Sequence, residues 1–519
     1  MNINKMLFTF ILVMACLFTI LPVQAATILY VPQDDRPVSL ENIVDTAEAA
    51  KISVLVPPMD IIASRDKKGD PEKLWQWVKE NAYKADALVL SGDSLIYGGL
   101  VDSRTHDFGE VILQKRLNRF KELHEANPAI PIYVYSTILR TPQGSAGGVE
   151  PAYYEQYGWN IFQLTALRDK AEIEGLTKQE KKLIDYNLGT IPPDALADWQ
   201  QRRQKNFAIN AGLLDLNRQE IFRFFLLGRD DTAPYSQSHK EGREISALAV
   251  DLPKARFQTF PGADQLAMVM LARAYNDLNY YIPIVKVQYA PGAGENSIPS
   301  YEDQKVGKSI VGHVTAAGGV VLNNPRKPDL LLYINTSFTG KTFEAASPNN
   351  TTKLTPTLRQ FVDDIKLSVE AGQSVSLADI SFANGSDNAL ITELSRLNLL
   401  DRMNSYSGWN TAGNTIGFTI GQGMLAKHTD EQERKRLLAV RYLDDWAYQA
   451  NIRQALEKEI LYPNKGSLVY LNELRSVLTV EAEKKARQFV AEHLWFPPEQ
   501  LTVEFPWNRM FEVRVNIAR

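Results

Sequence analysis

The stretch GRDDTAPYS, which follows the apolar run FFLL, places two aspartates next to each other. Asp230 and Asp231 carry like charges, so a chain keeps them together either in a solvated turn or in a site that uses them. Two carboxyls held close are forced to different pKa values, which lets one act as an acid while the other stays anionic. We therefore predict a catalytic pair. The alternative is a solvated turn in which an Asp caps the helix near His239.

Polar side chains after other apolar runs are predicted to contact the same substrate. The loop VPQDDRP offers Asp34, Asp35 and Arg36, although an Asp–Arg clamp that only holds the loop is an alternative. In LSGDSLIYGGLVDSR, Asp93 is a third catalytic candidate. The other binding candidates are Tyr97, Arg104, Arg140 in STILRTP, Arg202 and Asn206 in WQQRRQKN, Asp264 in PGADQ, Asn384 and Asp387 in ADISFANGSDN, and Trp409, Asn410 and Asn414 in SGWNTAGNT.

These candidates combine carboxylates, amides, guanidinium groups and an aromatic ring, which is how proteins recognise sugars. Structural alternatives remain for several of them. Trp409 fits a core position, Asp264 fits a helix cap, and Arg202 and Asn206 fit the solvated face of a helix, since they lie four residues apart. Further along, Arg441 and Asp445 have the spacing of a surface ion pair on a helix.

Several chemistries are disfavoured by what the sequence lacks. The Gly-Asp-Ser-Leu string suggests a serine esterase, but no His lies in the pattern that would activate the serine. The single cysteine, Cys16, lies in the N-terminal apolar run, and the six His are scattered, so no zinc site is predicted. An all-oxygen Ca²⁺ or Mg²⁺ site stays open. No cofactor is predicted, because the Gly-x-Gly of YAPGAGENS lacks the rest of a dinucleotide fingerprint.

Residues 1–25 read as a secretory signal peptide, with Lys5, a long apolar run and small residues at Val23 and Ala25. We expect cleavage before Ala26 and export; an uncleaved membrane anchor is the alternative. The net charge is −4, and charges of both signs are interspersed. Without a basic patch, nucleic acid is not an expected partner. The oligomeric state is not predicted.

Residues 26–430 alternate short β-rich runs with helical stretches, which predicts a mainly parallel α/β core. Polar loops after almost every strand favour a (β/α)8-barrel-like arrangement, and two facing doubly wound, Rossmann-like lobes are the alternative. Residues 431–519 read as a helical C-terminal region ending in a short β segment. The runs predicted as strands are TILYV, ISVLV, ALVLS, PIYVYS, FRFFLL, RFQTF, IPIVKVQY, DLLLYIN, SVSLADI and RMNSYS.

The chain also resembles a bacterial family known as domain of unknown function 4127. The resemblance rests on QDDRP, SLIYGGLVDSR, RRQKN, RDDTAPYS, PGADQ, ADISFANGSDNAL, GWNTAGNT and FPWNRMFEV, which together span residues 33–513. It implies no particular activity and no catalytic residue.

Together these features predict an exported hydrolase, a glycosidase that uses carboxylates on an envelope or environmental glycan. A non-catalytic glycan- or solute-binding protein is the alternative. If the loops all follow parallel strands, Asp35, Asp93, Asp230 and Asn410 should open onto one cavity.

Overall fold

The computed structural model describes residues 26–144 and 147–518. The predicted signal peptide, residues 1–25, lies outside these ranges. Within them, no helix is both long and apolar enough to cross a membrane.

The first sheet contains six strands: β1 (Thr27–Val31), β2 (Ser53–Leu55), β3 (Ala87–Ser91), β4 (Ile132–Ile138), β5 (Phe224–Arg229) and β6 (Phe257–Pro261). All pairings are parallel, and the order is β2–β1–β3–β4–β5–β6. Alternate residues of these strands enter two different hydrophobic clusters. Both faces of the sheet are therefore buried, which explains the nearly continuous apolar runs in the sequence.

The chain then forms β7 (Ile284–Tyr289), β8 (Val320–Val321), β9 (Leu330–Asn335), β10 (Phe343–Glu344), β11 (Val375–Asp379), β12 (Phe382–Ala383) and β13 (Ser405–Ser407). Five of these build a second parallel sheet in the order β13–β11–β9–β7–β8. The short strands β10 and β12 pair only with each other among the described residues.

Both sheets follow the same winding rule. In each, the first strand lies between the second and the third, and later strands add on the far side of the third. This is the doubly wound order of α/β proteins, in which ligands bind at the carboxyl ends of the strands beside the point where the winding reverses.

The mainly parallel α/β fold predicted from the sequence is thus confirmed, and all ten predicted strands are present. The pairings form two sheets, as in the two-lobe alternative. They do not confirm a closed barrel, since no pairing joins the edge strands of either sheet in the described ranges. The two-residue strands β8, β10 and β12 were not predicted.

Helices cover both sheets, and several have local sequence signals for their first residue. Asp70 caps one helix and accepts hydrogen bonds from Glu72 N and Lys73 N, and Thr177 forms a capping box with Glu180. The helices are Glu41–Ala49, Pro71–Asn81, Gly92–Tyr97, Leu100–Thr105, Glu110–Ala126, Tyr154–Ile173, Lys178–Thr190, Pro193–Arg218, Gln237–Leu248, Leu266–Leu278, Val306–Ala316, Pro356–Glu370, Asn388–Arg396, Ala412–Leu425, Glu431–Arg441, Arg453–Leu456 and Arg475–His493, with π-helical turns over Tyr442–Ile452 and Glu457–Leu461.

Two of these helices join the lobes. Leu266–Leu278 follows β6 of the first sheet and packs against Ala412–Leu425, which follows β13 of the second sheet. Gly417 and Gly421 lie on the contact face of the second helix. A β-carbon there would lie 2.6 Å from Gln265 Cβ at the first glycine and 2.9 Å from Met268 O at the second. The two backbones approach this closely only because these positions lack side chains.

The C-terminal region packs over both lobes and ends in an antiparallel pair, β14 (Leu501–Glu504) and β15 (Arg514–Ile517). The expected surface pairing of Arg441 with Asp445 is wrong. The Arg441 side chain is only 1% exposed and lies 2.6 Å from Asp444 and 3.2 Å from Asp445. Asp445 also accepts a 2.7 Å hydrogen bond from Gly408 N. The buried pair therefore anchors the C-terminal region to the loop after β13.

Candidate functional site

A cavity of about 360 Å³ lies where the carboxyl ends of the two sheets meet the C-terminal region. This volume is at the small end of the range for ligand sites. The polar side chains that line it are Arg36, Arg104, Arg140, Asp230, Asp231 and Asp264 from the first lobe, Tyr301, Asn384, Asn410 and Asn414 from the second, and Arg453, Glu457, Trp507 and Arg509 from the C-terminal region.

Asp230 is held in an ion pair at the cavity wall. Its Oδ2 lies 2.6 Å from Arg104 Nη2, and both side chains are less than one-tenth exposed. Arg104 Nη1 also lies 3.8 Å from Glu150 Oε1. Buried charges persist where they are paired in this way, so Arg104 and Asp230 form a fixed part of the wall.

Asp231 has a different environment although it is the next residue. Its backbone is left-handed, with φ +31°, and its carboxylate accepts a 2.8 Å hydrogen bond from Arg140 Nη1. The side chain remains 23% exposed. Burial and the charge of Asp230 raise the pKa of Asp231 to about 6, although Arg140 and Arg104 act in the opposite direction.

The aspartate pair is therefore neither a solvated turn nor a helix cap. The helix Gln237–Leu248 is capped by Ser236, whose hydroxyl accepts a hydrogen bond from His239 N at 3.2 Å. Glu150, which the sequence analysis did not single out, links the two ion pairs because its Oε1 also accepts a 2.6 Å hydrogen bond from Arg140 Nε.

A second ion-pair group lies beside β1 and β6. Arg36 Nη2 is 2.8 Å from Asp34 and 2.7 Å from Asp264. Burial raises the pKa of Asp264, Arg36 lowers it, and the charges of Asp34 and Asp230 raise it further. Asp264 does not cap the helix Leu266–Leu278, whose cap position is Gln265. Arg36 is thus held in an Asp–Arg clamp and also lines the cavity.

Three asparagines bring the second lobe into the cavity. Asn414 Oδ1 accepts hydrogen bonds from the backbone N of Ala263 and Asp264, at 3.3 and 3.1 Å. Asn410 and Asn384 are both left-handed, with φ +59° and +58°, and line the cavity. Asn384 Nδ2 donates to Glu344 at 2.7 Å. The Asn414 amide thus joins the two lobes, and all three asparagines line the cavity.

The C-terminal region supplies a wall that the sequence analysis missed. Trp507 Nε1 donates a 2.7 Å hydrogen bond to Asp35, and the Arg36 guanidinium lies 5.3 Å from the Trp507 ring centre. Asp35 therefore contacts a residue of the wall and is not itself among the lining residues. The motif FPWNRMFEV was visible in the sequence, but nothing local indicated which face it covers.

Asp93 and Tyr97 lie outside the cavity lining. Asp93 is fully buried and accepts hydrogen bonds from Ser136, Thr137 and Gln33 at 3.0, 2.9 and 3.2 Å. Burial raises the pKa of Asp93 to about 6, against those hydrogen bonds. Tyr97 is buried and stacks on His106, with ring centres 4.7 Å apart. Of the four residues expected to open onto one cavity, Asp230 and Asn410 line it, Asp35 contacts the lining residue Trp507 without lining the cavity, and Asp93 lies outside it.

The remaining candidates also lie elsewhere. Arg202 and Asn206 share a helix face, as predicted, but the face is buried against the segment around His106, where Asn206 Oδ1 lies 2.8 Å from His106 Nε2. Trp409 is 3% exposed and packs in the core against Phe511. Asp387 caps the helix Asn388–Arg396 and lines a different cavity.

The described residues contain no group of three or more His, Cys, Asp or Glu side chains arranged to hold a metal ion.

A comparison with protein families finds that residues 28–516 match the family described as "Protein of unknown function (DUF4127)". A search of curated proteins finds no match.

Proposed function

Because the chain belongs to the DUF4127 family, whose description names no activity, a function has to be argued from the site, and we propose a glycoside hydrolase with Asp231 as its general acid. Export to the cell envelope or beyond, as the leader predicts, would bring the enzyme to glycans.

The single observation that carries the proposal is the contrast between Asp230 and Asp231. A carboxyl with a pKa of about 6 that faces a cavity keeps a large protonated fraction in mildly acidic solution. Its neighbour is ion-paired with Arg104 and supplies a negative charge. Glycosidic bonds are cleaved by this combination: one carboxyl protonates the leaving oxygen, and a carboxylate stabilises or attacks the positively charged sugar ring.

The rest of the wall suits a neutral polyhydroxylated substrate. The guanidinium groups of Arg36, Arg104 and Arg140 are each within 3 Å of a carboxylate, so they add little net charge to the cavity. Asn410 and Tyr301 line the cavity with an amide that donates to Asp264 at 3.4 Å and a hydroxyl that donates to Glu344 at 2.9 Å. Such groups form directional hydrogen bonds to sugar hydroxyls without selecting for charge.

The test begins with purified protein screened against aryl glycosides and peptidoglycan fragments. In Asp231→Asn the shape stays and the proton is lost, so kcat/KM should fall about 100-fold or more. Asp363→Asn, an exposed position on the helix Pro356–Glu370, is the matched control and should leave activity and melting temperature unchanged.

The rate of hydrolysis should also depend on pH, with a decline as the pH rises. An acid must be protonated to work, so the wild-type rate should decline as the pH rises through about 6, and this decline should disappear in Asp231→Asn. Full activity of Asp231→Asn, or no hydrolysis of any tested glycan, would reject the proposal.

One feature favours a binding protein as the second candidate. Two doubly wound lobes face a cavity whose ionic groups are already paired and held by amides from the opposite lobe. Such a preformed site binds without needing a proton donor. In that case titration calorimetry would show a glycan binding to wild type and to Asp231→Asn with similar affinity, without turnover.

A further inference from the structure

The second lobe has a cavity of its own, of about 350 Å³. It opens beside the carboxyl ends of β7, β9 and β11: Ala290 and Pro291 follow the first, Asn335 ends the second and Thr336 follows it, and Ser381 lies two residues after the third. The winding of this sheet reverses between β7 and β9. Open α/β sheets bind ligands at this position, so the cavity lies where the fold places a site.

Thr336 is the strongest sign of a missing ligand. The residue lines the cavity and is only 4% exposed, yet its Oγ1 has no hydrogen-bond partner among the residues that the structure describes. A buried hydroxyl without a partner costs free energy, and proteins satisfy nearly all such groups. The Oγ1 atom has almost no accessible surface, so a hydroxyl-bearing ligand in the cavity would supply the partner once the Thr336 side chain rotates about χ1 to present Oγ1 to the cavity.

Two helices begin at the cavity rim, but the side chains that cap them already accept hydrogen bonds from the helix backbone. Thr355 Oγ1 accepts from Leu358 N at 3.2 Å, and Asp387 Oδ1 accepts from Ala389 N and Leu390 N at 3.0 and 3.3 Å. Asp387 Oδ2 also accepts a 3.2 Å hydrogen bond from Asn335 Nδ2. The carboxylate is thus committed to the fold and does not call for a cationic ligand.

The charge and the side-chain composition of the cavity lining indicate a neutral ligand. Lys353 and Asp387 are the charged residues among the described ones that line the cavity, and their charges cancel. Hydroxyls and amides dominate the rest, together with two aromatic rings, Phe338 and Phe382. Phe338 is 60% exposed at the rim, where an aromatic ring packs well on the C–H face of a sugar.

We propose that this second cavity binds a neutral sugar or polyol, with Thr336 Oγ1 hydrogen-bonded to a ligand hydroxyl and Phe338 packed on its apolar face. The site lies entirely in the second lobe and does not depend on whether the first cavity is catalytic.

The probes are N-acetylglucosamine, glucose and mannitol, added to the purified protein and followed by saturation-transfer NMR and calorimetry. Thr336→Val keeps the side-chain shape and removes the hydroxyl, so binding should weaken about 5- to 10-fold. Its melting temperature should not fall, because the hydroxyl has no partner to lose. Phe338→Ala should weaken binding as well. Thr502→Val, at an exposed position on β14, is the matched control and should bind like wild type.

Three results would overturn the proposal. The first is the absence of binding by all three probes at about 10 mM, well above the range expected for a preformed sugar site. The second is unchanged affinity in Thr336→Val, which would move the bound sugar to the first cavity and leave the glycosidase proposal intact. The third is binding of glucose 6-phosphate alone, which would identify an anion site.

Discussion

At the scale of single residues, the strained backbone of Asp231 follows from its neighbours. Asp230 N donates to Ile138 O in the first lobe at 3.2 Å, and Thr232 N donates to Tyr301 O in the second-lobe segment, also at 3.2 Å. The chain must turn within one residue to satisfy both, which gives Asp231 its left-handed φ. Such strain costs about 1–3 kcal/mol and persists where the surroundings enforce it, often at functional sites.

A second buried carboxyl allows a test of the electrostatics near this turn. Burial raises the pKa of Glu302 to about 8, although Gly413 N donates a 2.7 Å hydrogen bond to its Oε1. The folded state therefore holds a proton that the unfolded state has released, and Glu302 destabilises the fold increasingly as the pH rises from about 4.5 to 8.

We predict that Glu302→Gln, which keeps Oε1 as an acceptor, raises the melting temperature at pH 9 by about 2 °C or more and changes it little near pH 4. Glu473→Gln, at an exposed position, serves as the control and should have no effect at either pH. A stabilisation of equal size at both pH values would show that ionisation is not the cause.

The sequence predicted only some of the side chains in the site. Arg36, Asp231 and Asp264 line the cavity because each follows a parallel strand in the expected way. Asp93 follows β3 equally closely, but a helix begins at once at Gly92 and turns the carboxyl inward to the hydroxyls of β4. Trp507 carried no such signal, because its role depends on where a distant tail packs.

At the scale of secondary-structure elements, the glycines of the helix Ala412–Leu425 determine how closely the two lobes approach. Gly417 contacts Gln265, the N-cap of the first-lobe partner helix, and Gly421 contacts Met268 in its first turn. Since the loop before this second-lobe helix carries Asn410 into the cavity, the same contact also sets the distance between the two walls.

We predict that Gly417→Ala lowers the free energy of unfolding by about 1–3 kcal/mol, because its β-carbon would overlap Gln265 in a packed interface. Gly189→Ala is the matched control. Gly189 lies in the helix Lys178–Thr190 with nothing within 4 Å of a new β-carbon, so alanine should stabilise by about 0.5–1 kcal/mol. Urea denaturation measures both, and equal effects at the two positions would contradict the close contact.

Strand positions were readable from the sequence because each buried strand is a short apolar run bounded by polar loops. The division into two sheets was not, since both architectures place polar loops after parallel strands. The strand β8 has only Val320 and Val321, too few residues to show a period. This segment is recognised as a strand only because it pairs with the neighbouring strand β7.

At the scale of the whole molecule, one hydrophobic cluster runs through both lobes. Residues of the first sheet such as Tyr30 and Val89 and residues of the second such as Leu332 and Ile334 belong to it, with the helix Leu266–Leu278 between them. The lobes therefore share a core, and we expect them to unfold together.

Buried acids throughout this fold predict how its stability depends on pH. Burial raises the pKa of Glu302 and Asp379 to about 8 and that of Asp445 to about 7. The folded state then binds more protons than the unfolded state above pH 6.5, so stability must fall as the pH rises. The pKa values of His106 and His313 are lowered to about 4, so their opposite effect still grows slightly above pH 6.5, is nearly complete by about pH 7.5 and offsets only part of this loss.

We predict that the melting temperature at pH 8.5 is several degrees below that at pH 6.5, measured by differential scanning fluorimetry in buffers of equal ionic strength. In Glu302→Gln part of this difference should vanish. A melting temperature that is flat or rises over this interval would contradict the prediction.

The hydrogen bond from Trp507 to Asp35 joins positions 472 residues apart, and Arg514 pairs with Glu41 beside it at 2.6 Å. During synthesis the first strand and its loop emerge long before the segment that completes their cavity wall. Closing so large a loop is slow, so this wall should be among the last parts of the protein to form. Any chain that ends before Trp507, whether from a premature stop codon or from proteolysis, lacks that wall, so the complete cavity forms only in a chain that extends to Trp507.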